Sequence, residues 1–181
     1  MTKAVYDSRG GERTPSAPES LPICSDFNMR IARDGTWFYH GSPIGRKSLV
    51  KLFSTVLRRE ADGSYWLVTP VERGRIEVED APFTAVGLSA SGSGFEQTLR
   101  LTTNLDEVIE LGAEHPLRMV EDDGRTGPVP YVLVRAGLEA RVLRPVFYEL
   151  VELAEARDGS RGKEYGVWSG GLFFRLGAAD R

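Results

Sequence analysis

The sequence predicts an α+β protein built of two β-rich parts, each with one amphipathic helix on a mostly antiparallel sheet. Short alternating apolar runs recur along the chain, separated by Gly-rich turns, which is the signature of strands. Two longer segments carry instead the three-and-four spacing of a helix with one apolar stripe. The order strand, Gly turn, strand, Arg-led helix, Asp-Gly, strand, turn, strand occurs at 29–79 and again at 131–176. Residue identity between these copies is low, so the duplication is read from the order of elements, as a ββαββ-like repeat.

Residues 1–22 carry Gly, Ser, Pro and charge with almost no apolar periodicity, so they are expected to form a disordered tail. Met29 and Ile31 alternate toward Asp34-Gly35, and Trp37 and Tyr39 alternate away from it. Such alternation around Asp-Gly predicts a hairpin, because Gly supplies the positive φ of the turn. After the turn Gly41–Gly45, Leu49, Leu52, Phe53, Val56 and Leu57 mark one face of a helix from Arg46 to about Arg59, with Val50 flanking. Tyr65–Thr69 and Arg75–Glu79 predict a strand pair, the second with Ile76 and Val78 inward. Pro82 then marks a boundary between the two parts.

Beyond it, Val86 with Leu88 and Leu99 with Leu101 predict strands around Gly92-Ser93-Gly94. Val108–Leu111 fits a strand by its β-branched residues, or a short helix capped by Asn104 and Glu107. Leu117–Val120 leads to a Gly- and Pro-rich loop, and Tyr131–Arg135 with Leu138–Leu143 predicts a hairpin at Ala136-Gly137. Pro145 sits where a first helical turn tolerates it, and the helix is expected to run until Asp158-Gly159. Tyr165–Trp168 and Leu172–Leu176 complete the chain as strands. The resulting organisation is a tail (1–22), a small αβ domain (23–83) and a β-rich domain (84–181).

Composition narrows the function. The net charge of −3 over 181 residues disfavours nucleic acid, whose phosphates need a cationic footprint. No apolar run has the length of a membrane span, no secretory leader is visible, and the cytoplasm is the expected compartment. One cysteine, Cys24, allows no internal disulfide and no cysteine zinc cluster. His40 and His115 stand outside every metal-binding spacing, so neither a metal nor a cofactor is expected. Ser89 lacks the glycines of a nucleophile elbow, and Gly92-Ser93-Gly94 lacks the Lys-Ser/Thr of a phosphate loop. Glu79 and Asp80 are the best acid/base pair, but they read more simply as a strand face and a turn.

Only Lys3, Lys47, Lys51 and Lys163 are lysines, so arginine supplies the remainder of the 23 basic residues. Arg73, Arg75, Arg118, Arg135, Arg141 and Arg144 fall on turns and strand ends where they could grip an anion bidentately. Trp37, Trp66, Phe83, Tyr131 and Trp168 could wall an apolar cleft beside them, or fill two small cores while the arginines pair with acids.

Asp34-Gly35-x-Trp37, Pro43-Ile44-x-Arg46, Leu52-Phe53-Ser54, Thr69-Pro70-Val71-Glu72 and Val78-Glu79-Asp80-Ala81-Pro82-Phe83 together resemble a bacterial family, domain of unknown function 1285. Thr103-Asn104, His115-Pro116-Leu117, Pro130-Tyr131, Leu138-Glu139-Ala140-Arg141 and Val167-Trp168-Ser169 extend the resemblance over residues 25–176. It implies two parts with internal duplication, a second part superficially like a pleckstrin-homology domain, and a binding site between the parts. It also implies a signalling role linked to coenzyme A, and it brings no catalytic residues.

The expected function is a non-catalytic ligand-binding or signalling module for a coenzyme A-related or partly apolar ligand. A protein-interaction adaptor and an enzyme using carboxylate acid/base chemistry are the alternatives. The candidate ligand-binding residues are Trp37, Thr69, Glu72, Arg75, Asp80, Phe83, Asn104, His115 and Tyr131.

Overall fold

The computed structural model describes residues 23–24, 26–121, 127–159 and 162–178, so the expected tail at 1–22 lies outside the described residues. In chain order the first part contains β1 (Ile23–Cys24), β2 (Met29–Ile31), β3 (Trp37–Tyr39), β4 (Ser42–Pro43), α1 (Lys47–Thr55), β5 (Leu57–Arg59), β6 (Tyr65–Val68) and β7 (Arg73–Val78). The second begins with β8 (Phe83–Ser91), a 3-10 turn (Gly94–Glu96), β9 (Thr98–Thr103), β10 (Val108–Glu110) and β11 (Leu117–Val120). It continues with β12 (Val129–Arg135), β13 (Leu138–Val142), α2 (Arg144–Glu152), β14 (Glu155–Gly159), β15 (Gly162–Ser169) and β16 (Leu172–Ala178).

The first sheet has the order β4-β3-β2-β7-β6-β5, with β1 also on β7. The second is β10-β9-β8-β13-β12-β11, and β14-β15-β16 form a third. Pairing is antiparallel except for β1 on β7, β2 on β7 and β8 on β13. The predicted class therefore holds: two β-rich parts, each with one helix. In both, a hairpin leads to a helix and then to an antiparallel three-strand meander.

The Asp34-Gly35 hairpin forms as expected. Ile31 faces Trp37 across it, both are fully buried, and Asp34 Oδ1 accepts the Thr36 N–H at 2.9 Å. Val108–Glu110 settles as a strand, with Ile109 buried and Val108 exposed.

Both helices are shorter than expected, and by the same device. α1 ends at Thr55 and Leu57–Arg59 joins β6 as a strand; α2 ends at Glu152 and Glu155–Gly159 pairs with β15. Asp62-Gly63 turns between β5 and β6, and Asp158-Gly159 are the last residues of β14, paired with Lys163 and Gly162, so neither pair stops a helix. Leu57 continues the helical spacing yet is buried as the first residue of β5. The stripe itself is rotated. Val50 and Ser54 are the buried residues of α1, while Leu52 is 62% exposed. Val86 also departs from expectation: the register slips between Ala85 and Gly87, which leaves Ala85 buried and turns Val86 outward.

The buried side chains form one contiguous cluster running from Met29 in the first part to Leu176 in the second. Trp37 and Phe83 lie inside it, so they are core residues and wall no cleft together.

Gly35 shows how closely the parts meet. Its φ is +86°, and a Cβ there would lie 2.6 Å from Asn104 Nδ2 of the second part. Gly63 has a similar φ of +84° with nothing within 4 Å. Gly63→Ala should cost only left-handed strain, on the order of 1–2 kcal/mol. Gly35→Ala should cost about 1–2 kcal/mol more, because the Asn104 hydrogen bonds must also move. Urea unfolding of the two variants measures that difference; equal costs would mean that Asn104 does not tie the parts.

Candidate functional site

The junction between the parts is held by polar side chains. Lys47 and Lys51, one turn apart on α1, reach the two carboxylate oxygens of Asp106 at 2.5 and 2.7 Å. They hold the exposed Asp106 carboxyl below its ordinary range through those hydrogen bonds. At the other end of α1, Arg135 Nη2 donates to the Ser54 carbonyl at 3.0 Å while Nη1 pairs with Glu107. Asn104 Nδ2 donates to the Gly35 carbonyl at 3.3 Å, and its Oδ1 accepts the Thr84 N–H at 3.2 Å.

A second polar cluster surrounds Asp80, which follows β7. The Tyr131 hydroxyl donates to Asp80 Oδ1 at 2.7 Å, and the Arg141 and Arg33 guanidinium groups lie 3.5 and 3.7 Å from Oδ2. The Asp80 side chain is only 13% exposed. Next to it Arg118 forms a forked pair with Glu139 at 2.5 and 2.7 Å and lies 4.8 Å over the Tyr131 ring. Burial first, then the hydrogen bond and charge of Asp80, pushes the Tyr131 phenol up to about 12. Glu79 is paired with Arg30 and accepts the Arg33 N–H at 3.0 Å. Both carboxylates of the candidate acid/base pair are thus engaged in holding structure.

Cavities of ligand size open in both parts: two in the first, on either side of its sheet, and one of about 390 Å³ in the second, lined by Phe147, Val151, Ala154, Tyr165, Leu176 and Gly177. An apolar groove of about 370 Å³ lies between α1 and the sheet, lined by Phe27, Met29, Tyr39, Ile44, Leu49, Phe53, Val56 and Leu67, with Thr69 and Glu72. A more polar cavity of about 580 Å³ includes Arg75, Arg30 and Phe38. At the junction the space is about 200 Å³, beside Trp37, Lys47, Asn104 and Leu105.

The candidate residues are therefore distributed over several places. Thr69 and Glu72 line the groove, Arg75 the polar cavity, and Trp37 and Asn104 the junction space. Asp80 and Tyr131 meet each other, and His115 Nδ1 lies 3.0 Å from the Leu133 carbonyl. Phe83 is buried beneath Arg135, 5.0 Å from its guanidinium. Trp168 packs edge-on against Phe95 and Phe173 and joins none of these cavities.

Arginine is the residue type whose reading changes most. Arg73, Arg118, Arg135 and Arg141 are paired with Glu60, Glu139, Glu107 and Asp80, and Arg144 donates to the Gly127 carbonyl. Sequence reasoning missed Leu49, Phe53 and Val56 as groove residues because a helical apolar stripe looks the same whether its far side is filled or open. Among the described residues no cluster of His, Cys, Asp and Glu could hold a metal ion, and no helix is long and apolar enough to cross a membrane.

Residues 18–81 match the model for domain of unknown function (DUF1285), N-terminal domain, and residues 82–176 match protein of unknown function (DUF1285), C-terminal domain. The chain belongs to the DUF1285 family. A DUF1285 family protein from Silicibacter pomeroyi DSS-3 is 47% identical, with a TM-score of 0.81 over 88% of this chain and 84% of that one. A second DUF1285 family protein, from Shewanella baltica OS155, is 27% identical, with a TM-score of 0.54 over 68% of this chain and 90% of that one. The comparison with curated proteins finds no match. The DUF1285 relationship thus spans both parts without supplying a reaction or a ligand.

The Asp80–Tyr131 bond makes a pH prediction. Because the folded phenol titrates near 12 and the free side chain near 10, its stabilisation is complete below pH 10 and is lost as pH rises through 12. Asp80→Asn should bring the Tyr131 pKa down toward the ordinary range, since the carboxylate supplies two of the upward causes. Carbon NMR of ζ-labelled tyrosine resolves this; an unmoved Tyr131 signal would mean that burial alone sets the value.

Proposed function

We propose that this chain is a cytoplasmic, non-catalytic binding module whose ligand carries an apolar portion, seated in the groove between α1 and the first sheet. One observation carries the reading: a half-open cavity of about 370 Å³ lined almost wholly by apolar side chains. Small-molecule sites usually have volumes of about 300–1,000 Å³ and this kind of lining. The junction space, at about 200 Å³, falls below that range. The engagement of Glu79 and Asp80 by arginines and Tyr131 supports the non-catalytic reading over carboxylate chemistry.

The groove also selects among ligands by charge. Thr69 Oγ1 is occupied by its own turn, donating to the Glu72 carbonyl and accepting the Val71 and Glu72 N–H groups. Glu72 is the charged residue of the lining, and its carboxylate has no hydrogen-bond or ion-pair partner among the described residues. An anionic head beside it is disfavoured; a neutral or cationic one is favoured. A coenzyme A-related ligand would therefore use this groove through its apolar end alone, with its phosphates outside. The second part, with its pleckstrin-homology-like character taken from the family resemblance, acts in this reading as the support that fixes α1.

A second reading, a protein-interaction adaptor, is favoured by the apolar surface near the groove, where Tyr39, Leu52 and Val71 are 52%, 62% and 73% exposed. Octylamine, octanol and octanoate, tested below their micellar range, separate the readings. Octylamine and octanol should raise the melting temperature by several degrees near saturation, octanoate less. Leu49→Trp, which fills the groove, should abolish the response, and Glu72→Gln should bring octanoate level with the others. Leu52→Glu should leave these responses intact if a small molecule is the ligand. Absence of any shift, or shifts unaffected by Leu49→Trp, overturns the groove as the site.

A further inference from the structure

The opposite face of the same sheet carries a second, chemically different cavity. Phe38, Arg30 and Glu77 stand directly across from one another on β3, β2 and β7, so their side chains share a face. Arg75 is two residues from Glu77 on the same strand and points the same way. Together with Asp26, Asn28 and Ser64 these residues rim a concave space of about 580 Å³.

The charged groups around this space differ in how they are used. Arg30 pairs with Glu79 and lies 4.3 Å over the Phe38 ring. Asp26 Oδ1 accepts the Asn28 N–H at 2.7 Å, Asn28 Nδ2 lies 3.0 Å from His40 Nδ1, and the Ser64 hydroxyl donates to Asp62. Arg75 and Glu77 remain. Among the described residues neither makes a side-chain hydrogen bond or ion pair, although they have opposite charge and share one strand face. Arg75 is set apart in this from Arg73, Arg118, Arg135 and Arg141, each of which has an acidic partner.

Two opposite charges without a hydrogen-bond or ion-pair partner among the described residues, Arg75 acting only through space on Asp62, stand at the mouth of one cavity and define a ligand class. Strand geometry puts their Cα atoms roughly 6.5–7 Å apart, and long side chains can converge across that spacing on a small molecule with one charge of each sign. The charges of the lining cancel, Arg30 and Arg75 against Asp26 and Glu77, so a polyphosphate would meet repulsion as well as attraction. A concave wall strengthens both contacts by limiting the water that screens them.

We propose that this face binds a free α-amino acid, its carboxylate on Arg75, its ammonium on Glu77, and its side chain toward Phe38 and the sheet floor. The Arg75 fork suits a carboxylate bidentately, and the Glu77 carboxylate accepts from an ammonium. The site is separate from the apolar groove and does not depend on it.

The twenty L-amino acids, tested singly at millimolar concentration by thermal shift and saturation-transfer NMR on the full chain, provide the test. At least one should bind. Its N-acetyl and methyl-ester derivatives, each lacking one charge, should bind at least about tenfold more weakly, as should the parent amino acid to Arg75→Gln and to Glu77→Gln. Both positions are exposed, and an unchanged circular-dichroism spectrum and ligand-free melting temperature would show an intact fold in each variant. The capped derivatives give the same answer on the unaltered protein should a variant misfold. Lack of any amino-acid response, equal binding of the N-acetyl form, or an Arg75-dependent response to inorganic phosphate alone would overturn the proposal.

Discussion

The placement of α1 depends on the Arg135 guanidinium. It pairs with Glu107 of its own part, donates to the Ser54 carbonyl in the last turn of α1 at 3.0 Å, and lies 5.0 Å over the buried ring of Phe83. A cation at that end of a helix complements the partial negative charge of its unpaired carbonyls. Arginine suits the position because its planar fork can stack and donate in two directions at once. Lysine at 135 would keep the charge but lose the stack or one of the donors. Lys47 and Lys51 hold the opposite end of α1 through Asp106, so the helix is fixed lengthwise to the second part.

That attachment explains why a groove can persist beneath the same helix. Protein interiors ordinarily close around apolar surface, because an unfilled void forfeits contacts. Here α1 is anchored from the side by Arg135, Lys47 and Lys51, and Phe53 stacks on Trp37 with centroids 6.4 Å apart. Moving the helix down onto Leu67 and Met29 would stretch these contacts. The opening between α1 and the sheet is the geometric consequence of docking the helix on two surfaces at once.

Much of the fold was legible, and the reasons differ by element. Hairpins at Asp34-Gly35 and Ala136-Gly137 were readable because turn chemistry and alternation are local. The helix ends were not. Leu57 satisfies a helical period as well as a strand, and pairing with Leu67 on β6 decides between them. Val86 turned outward because of a register slip, which no alternation pattern reveals. At the site, Thr69 and Glu72 were named from the Thr69-Pro70-Val71-Glu72 string of the family resemblance, whereas the groove between them and α1 depends on how far the helix stands off. Asp80 and Tyr131 were both singled out, but only tertiary structure shows that they bond to each other.

The arginines connect the fold to the functional reading. Several combine a carboxylate with an aromatic face: Arg30 with Glu79 and Phe38, Arg73 with Glu60 and Trp66, Arg118 with Glu139 and Tyr131, and Arg157 with Glu164 and Phe173. Each pair of contacts orients a guanidinium and uses its charge, so these arginines are structural cross-links and poor anion traps. An anion-gripping cleft built from the whole set is therefore not what the chain encodes. Among the described residues that line the two cavities of the first part, the side-chain charges left without a hydrogen-bond or ion-pair partner are Glu72 at the mouth of the apolar groove and Arg75 with Glu77 on the reverse of the same sheet. Met29 lies in the lining of both cavities, which back onto the two faces of one sheet. In the proposed reading, the first part carries the recognition chemistry and the second holds α1 in the position that keeps the groove open.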